Sequence, residues 1–304
     1  MEKGKYFGVY VPLITPFSED YSIDYDALEG LLNFLLASGV NGFFVNATTG
    51  EFTSLSLEEK EEIANLVIAK AKGKARLFLN VASTDAREVK KLCRFAAEKG
   101  FDAVISPPPY FLIPDERGLL NYFITIAEES NLDTLIYNIP PATGYSFPPR
   151  LVEKLADSDS RIKGVKATID SIGYLRDVIL TVKKKHPDFS VLTGVEHNFL
   201  PNLLCGGDGG IVALSNFAPS FFIETVKNFD EKNFDSLLEL HRKITILSRI
   251  FSYSTSFASG IKISLSLMGF KVQPFVRRPL IEDPQEVIEH IRQILIGTGL
   301  LKED

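Results

Sequence analysis

The 304-residue chain predicts an α/β fold: a closed (β/α)8 barrel followed by a helical C-terminal extension. Two observations carry this. Eight short apolar segments, mostly about 25–35 residues apart, alternate with amphipathic helical patterns, which is the spacing of βα units. Beyond about residue 220 the alternation stops and helical periodicity continues alone.

The strands are expected at Val9–Leu13, Phe43–Asn46, Leu77–Val81, Ala103–Ser106, Thr134–Tyr137, Ile162–Lys166, Ser190–Leu192 and Gly210–Leu214. After the first, Leu28, Leu31, Leu32, Leu35 and Leu36 fall on one helical face, and Gly39 is placed to end it. Ser56 and Glu59 make a capping box ahead of Ile63, Leu66 and Val67. Val89, Leu92, Cys93 and Ala96 repeat the pattern up to Gly100, which makes Cys93 a small core residue. Leu119, Tyr122, Phe123 and Ile126 form the next face. After the sixth strand, Thr168 and Asp170 open a pattern through Ile172, Leu175, Val178, Ile179 and Val182. Eight alternations favour a closed TIM barrel over an open doubly wound sheet. The barrel domain is assigned to residues 1–220. The last barrel helix and the extension take 221–304, with faces at Leu237/Leu240/Ile244/Leu247, Ile261/Leu265/Met268 and Val287/Ile288/Ile291/Leu295. Gln273-Pro274 and Asp283-Pro284 are its turn signals.

Composition narrows the function. A net charge of −6, with 33 Lys+Arg against 39 Asp+Glu, gives no basic footprint for nucleic acid or an anionic membrane. Cys93 and Cys205 are too few for a disulfide framework, and the four histidines show no metal-ligand spacing. The apolar region from Leu31 to Val45 is broken by Asn33, Gly39, Asn41 and Gly42, unlike a membrane span. The N-terminus lacks the apolar run of a signal peptide, so a cytoplasmic protein is expected. There is no GxGxxG after the first strand and no GxxxxGK[ST] motif, so the usual nucleotide loops are missing.

In a (β/α)8 barrel the chemistry sits where the strands end. The second strand runs into ATTGE (Ala47 to Glu51) and the fourth into SPPPYF (Ser106 to Phe111). The fifth runs into YNIPPATG (Tyr137 to Gly144), the sixth into GVKAT (Gly164 to Thr168), and the seventh into TGVEH (Thr193 to His197). The eighth lies within GGDGGIVALSN (Gly206 to Asn216). A lysine ending a buried strand is a candidate Schiff-base amine, because a low-dielectric floor disfavours its charged form. Alone, Lys166 reads first as a solvated charge at a strand exit, and the Gly, Pro and Thr clusters as ordinary turn punctuation. Their order along successive strand ends is what sets the chain apart.

In that order these motifs resemble the dihydrodipicolinate synthase / N-acetylneuraminate lyase family of Schiff-base aldolases, over roughly residues 6–220. The resemblance implies class I chemistry without metal or organic cofactor, the substrate being held as a Schiff base on Lys166. It also implies a homotetramer built from dimers. Lys166 resembles the lysine that attacks the 2-oxo carbon of pyruvate or a larger 2-oxo acid, and Tyr137 the proton-shuttling tyrosine. Thr49 matches the threonine of the relay, and Thr48 with Thr49 the donors to the substrate carboxylate. Tyr110 aligns with the tyrosine lent to a neighbouring subunit, and Ile211 with a backbone contact to the oxo acid. Independently of the resemblance, a phenol with a pKa of about 10 is a poor base at neutral pH unless a hydroxyl chain relays its proton.

Two positions bear on the substrate. Where the synthases carry an arginine after their YN-P segment, this chain has Ala142, forgoing a charge-assisted contact of about 1.5–3 kcal/mol. Thr168 gives the K-x-T pattern more often seen in the sugar-acid members. Gly194 and Glu196 fall at substrate-contacting positions, and His197 is adjacent, with a plain helix-start role equally open. The resemblance therefore implies an aldolase joining pyruvate and an aldehyde in a 2-keto-3-deoxy sugar acid, such as 2-keto-3-deoxygluconate. Dihydrodipicolinate synthase and N-acetylneuraminate lyase are the alternatives. A catalytically silent binding barrel is the non-enzyme alternative, and the intact Lys166, Tyr137 and Thr49 speak against it.

Overall fold

Unbroken apolar runs such as Gly-Phe-Phe-Val and Ala-Val-Ile mark strands covered on both faces, since a parallel sheet carries helices outside and side chains inside. The computed structural model, which describes residues 2–303, has these segments buried throughout. The strands are β1 (Gly8–Pro12), β2 (Gly42–Val45), β3 (Arg76–Asn80), β4 (Ala103–Ser106), β5 (Asp133–Asn138), β6 (Ile162–Ala167), β7 (Ser190–Thr193) and β8 (Gly209–Ile211). They form a closed parallel barrel in sequence order. Every expected strand is present, most with ends moved by a residue or so. The exception is β8, which stops at Ile211 rather than Leu214, because Ala213–Asn216 turns into a 3-10 helix.

The chain divides into two units. One comprises the residues up to Gly8 with Arg76–Ile211, and the other Val9–Ala75 with the residues from Val212 onward. In the first, the helices Glu116–Ser130, Pro149–Ser158 and Ile172–Val182 supply Phe123, Leu151 and Val178 to a cluster. The strands add Ile136, Val165, Ala167 and Val191 to the same cluster. Phe123 is fully buried there, and truncation to Ala would cost about 3–5 kcal/mol.

Side chains alternate along a strand, so residues next to those four face the other way. The register pairs Ile136 with Val165 and Tyr137 with Lys166 across β5 and β6, and Lys166 with Leu192 across β6 and β7. Tyr137, Lys166 and Leu192 therefore share the inner face. At the opposite strand ends, Lys183 Nζ and Asp208 form a buried ion pair at 2.9 Å. Asp208 also accepts from the backbone N–H groups of Gly4 and Val191.

The helix after β6 begins at Ile172, not at Thr168. Thr168 N–H donates to Asn138 O at 2.8 Å, which keeps the chain strand-like, and Ser171 then caps the helix by accepting from Tyr174 N. Cys93 is buried on the Ala86–Lys99 helix, which ends on Gly100 in the left-handed region as expected.

In the second unit, the Tyr25–Ser38 helix ends on Gly39, and the Leu57–Ala71 helix opens with the Ser56/Glu59 capping box. The C-terminal helices Phe234–Ser248, Phe257–Leu267 and Gln285–Gly297 bury Leu237, Leu240, Ile244 and Leu247, then Ile261 and Leu265, then Ile291 and Leu295. Gln273-Pro274 and Asp283-Pro284 both lie between the last two helices. Among the described residues no helix is long and apolar enough to cross a membrane.

Candidate active site

The side chain of Lys166 is almost completely buried, with Nζ 4.3 Å from the centroid of the Tyr137 ring. An ammonium over an aromatic face is attracted by the ring quadrupole, so the Tyr137 ring helps to hold the Lys166 side chain where it lies. Two residues on, Thr168 follows on the same side of the chain. Its hydroxyl oxygen is buried and meets no hydrogen-bond partner among the described residues. An unmet buried hydroxyl costs about 1–3 kcal/mol, which a fold tolerates where something else is to be bound.

Gly194, just beyond β7, completes this corner. Its N–H donates to Ala167 O at 2.8 Å, drawing the β7 loop against the end of β6. A Cβ built there would overlap Thr168 Oγ1 and sit 3.0 Å from Lys166 Cε, so only glycine leaves these two side chains in place. Thr193 then turns the chain, its hydroxyl accepting from Val195 N and donating to Val195 O. The turn leads into the 3-10 segment Glu196–Asn198, where Glu196 is buried. His197 Nε2 lies 2.7 Å from Asp170 Oδ1, which also accepts from Asn198 Nδ2 at 3.3 Å. His197 is therefore a paired rim residue. Ile211, the last residue of β8, is buried.

Reading the sequence missed Asn138. Its amide donates to Tyr174 OH at 2.7 Å, its carbonyl oxygen accepts from Phe147 N at 3.3 Å, and Tyr174 OH donates to Phe147 O at 2.8 Å. Burial pushes the Tyr174 phenol well above its ordinary value, so it stays a donor. This network fixes the short helical turn Pro140–Thr143 that follows Tyr137 and carries Ala142 on its exposed side. The local signal was the asparagine itself, a residue that is seldom fully buried without partners.

Tyr110 lies in the loop after β4. Burial, and secondarily the Glu88 carboxylate, raises its phenol above the usual range. Beside it Phe111 adopts a positive φ of 74° and is 93% exposed, and Leu112 is 81% exposed.

Thr48 and Thr49 belong to the second unit, in the 3-10 turn Thr48–Gly50 directly after β2, where Thr49 is buried. A cavity of about 440 Å³ opens beside this turn, with Thr48, Thr53, Ser54, Ser254, Thr255 and Ser256 among its lining residues. Among the described residues no group of three or more His, Cys, Asp or Glu side chains could hold a metal ion.

The model of the dihydrodipicolinate synthetase family matches residues 5–296. The chain belongs to that family. It is 43% identical over 293 residues to a DapA-like lyase of Thermococcus onnurineus, covering 95% of this chain and 98% of the relative. It is 32% identical to YjhH of Escherichia coli K12, named a probable 2-dehydro-3-deoxy-D-pentonate aldolase, with 98% and 99% covered. YagE of the same organism, named a putative 2-dehydro-3-deoxy-D-gluconate aldolase, is 34% identical with 90% of each chain covered. A crystal structure of YagE in complex with pyruvate superposes with a TM-score of 0.95, at 32% identity, over 98% of this chain and all of that one. With the family and these lyase and aldolase relatives, the protein is a lyase.

Proposed function

We propose that the protein is a class I aldolase that cleaves, or forms, a 2-keto-3-deoxy sugar acid, with pyruvate as the enamine partner. The observation that carries this reading is the buried Lys166 amine over the Tyr137 ring, beside the Thr168 hydroxyl, which is unpartnered among the described residues. Lys166 Nζ attacks C2 of the substrate, and loss of water gives an iminium. Tyr137 takes the proton of the C4 hydroxyl as the C3–C4 bond breaks. The bond's electrons move into the iminium to leave an enamine, and C4 departs as an aldehyde. Protonation of the enamine at C3 and attack of water at C2 release pyruvate and restore the amine. No metal or organic cofactor is required by these steps.

The family motif assigns Thr48 and Thr49 to the substrate carboxylate, Thr49 also to the proton relay of Tyr137, and the Ile211 backbone to the oxo acid. Tyr110 is assigned to the site of a neighbouring subunit in a homotetramer, and the exposed apolar tip at Phe111 and Leu112 supports its cover by a second copy. Three features support a sugar acid over aspartate semialdehyde. Ala142 offers no guanidinium for a second carboxylate, Thr168 presents a hydroxyl, and Gly194 with the buried Glu196 leaves a polar corner for a polyol chain.

The test compares pyruvate release from 2-keto-3-deoxygluconate with condensation of pyruvate and aspartate semialdehyde. Release from the sugar acid is expected. Turnover in the condensation alone would replace the aldolase reading with dihydrodipicolinate synthase.

A further inference from the structure

The turn that carries Thr48 and Thr49 is followed by a residue in an unusual state. Glu51 has φ 57° and ψ 36°, the left-handed region that glycine or asparagine normally occupies. A glutamate persists there only when its surroundings over-determine it. Both of its carboxylate oxygens are engaged: Oε1 pairs with Lys262 Nζ at 2.6 Å, and Oε2 accepts from the Arg277 backbone N–H at 2.9 Å. Lys262 Nζ also donates to Phe275 O at 2.7 Å and lies 4.1 Å from the Phe17 ring centroid, which Arg277 approaches as well. The Arg277 guanidinium reaches on to Ser54 O at 3.0 Å. Just before Glu51, Gly50 is wedged so tightly that a Cβ would meet Leu13 O at 2.6 Å, and its carbonyl accepts from Thr15 Oγ1 at 2.7 Å.

This is a poor way to gain stability. The Glu51 and Lys262 side chains are buried essentially completely, and a buried ion pair roughly offsets its own desolvation. Burial pushes the Lys262 ammonium down to about 8, opposed by Glu51 and reinforced by Arg277. What the pair does provide is a fixed point two residues after Thr49.

We infer that Glu51 and Lys262 are positioning residues for the lyase reaction, a clamp that holds the Thr48–Gly50 turn in the one geometry in which its hydroxyl and N–H groups can bind the substrate carboxylate. The kinetic part of this role rests on the aldolase reading; the ordering of the turn does not. A donor array misplaced by about 1 Å loses much of its binding. Loosening the clamp therefore weakens pyruvate binding and, because Thr49 moves with the turn, also slows the proton relay through Tyr137.

The variant Lys262→Met leaves Glu51 unpaired in the interior, so the informative protein is the double variant Glu51→Gln, Lys262→Met. It buries no charge and keeps an acceptor for Arg277. The expected result is a folded protein whose KM for pyruvate in aldol formation rises about tenfold, with kcat reduced as well because the Thr49 hydroxyl shifts with the turn. Exchange of the Gly50 and Glu51 backbone amides, which donate to Ala47 O at 2.9 Å and Thr48 O at 3.0 Å, should accelerate in the same variant. Lys183→Met, which breaks the buried ion pair with Asp208, is the control for a merely structural role: it should lower the melting temperature and leave KM unchanged. A folded double variant with KM within twofold of wild type overturns the clamp. If the wild-type protein turns over no pyruvate, the aldolase reading has failed by itself, and amide exchange decides the clamp: unchanged protection at Gly50 and Glu51 overturns it.

Discussion

Replacing Thr168 by valine should move stability and activity in opposite directions. The hydroxyl oxygen is buried and unpartnered among the described residues, while the Thr168 methyl and the valine methyls have nearly the same shape. In the unliganded protein the hydroxyl is a burden of about 1–3 kcal/mol, so its removal should be neutral or stabilising, with a melting temperature higher by about 2–4 °C per kcal/mol relieved. In the complex, the substrate hydroxyl that Thr168 would have met is left buried without a partner. That loss of about 1–3 kcal/mol corresponds to a fall of about 5–150-fold in kcat/KM for the sugar acid. Thermal unfolding and pyruvate release from 2-keto-3-deoxygluconate measure the two effects on one preparation. Pyruvate alone carries no polyol, so its capture by Lys166 should be unchanged. A Thr168→Val protein that is less stable and has an unaltered kcat/KM would mean that the hydroxyl serves the fold, and the assignment of Thr168 to substrate would fall.

Further outcomes follow from the same geometry. Tyr110→Phe should slow turnover markedly without changing the fold if a neighbour's tyrosine completes the relay; an unchanged rate removes it from the mechanism. Asn138→Ala strips the buried partners of Tyr174 and Phe147, and should cost about 1–3 kcal/mol in a denaturant titration. The Glu59 carboxyl is held below its ordinary 4.5 first by its hydrogen bond from Arg277. Because its folded pKa is depressed, Glu59 adds stability that is present above the unfolded value and lost as pH falls through the folded one. Arg277→Met should flatten that acid limb in melting curves recorded from about pH 5 to pH 3, and an undiminished slope would assign the limb to other carboxyls.

The barrel was legible because covered parallel strands leave continuous apolar runs, and because Gly39, Gly100 and the Ser56/Glu59 box signal helix ends within a few residues of sequence. The strand-end places of Lys166 and Tyr137 were legible for a similar reason, while their roles rest on the family resemblance. Each ends or nearly ends a strand, and the pairing of adjacent strands then brings them side by side. What escaped depended on partners distant in sequence. The helix after β6 starts late because Thr168 N–H finds Asn138 O, a choice no periodicity encodes. Lys262 reads as an ordinary polar residue beside Ile261 and Leu265, yet the Phe257–Leu267 helix is buried from Ala258 to Leu265. Its partner Glu51 stands 211 positions away. Asp170, read in sequence as a helix-start residue, meets His197 and Asn198 only through the fold.

Schiff-base formation at Lys166 is tested most directly by reductive trapping. The protein is incubated with pyruvate and borohydride, digested and analysed by mass spectrometry, with Lys166→Met as the companion sample. A reduced pyruvyl adduct confined to the Lys166 peptide, lost in the variant, together with loss of activity, is the predicted result. A wild-type protein that gains no adduct, or gains it equally on other lysines, would contradict it.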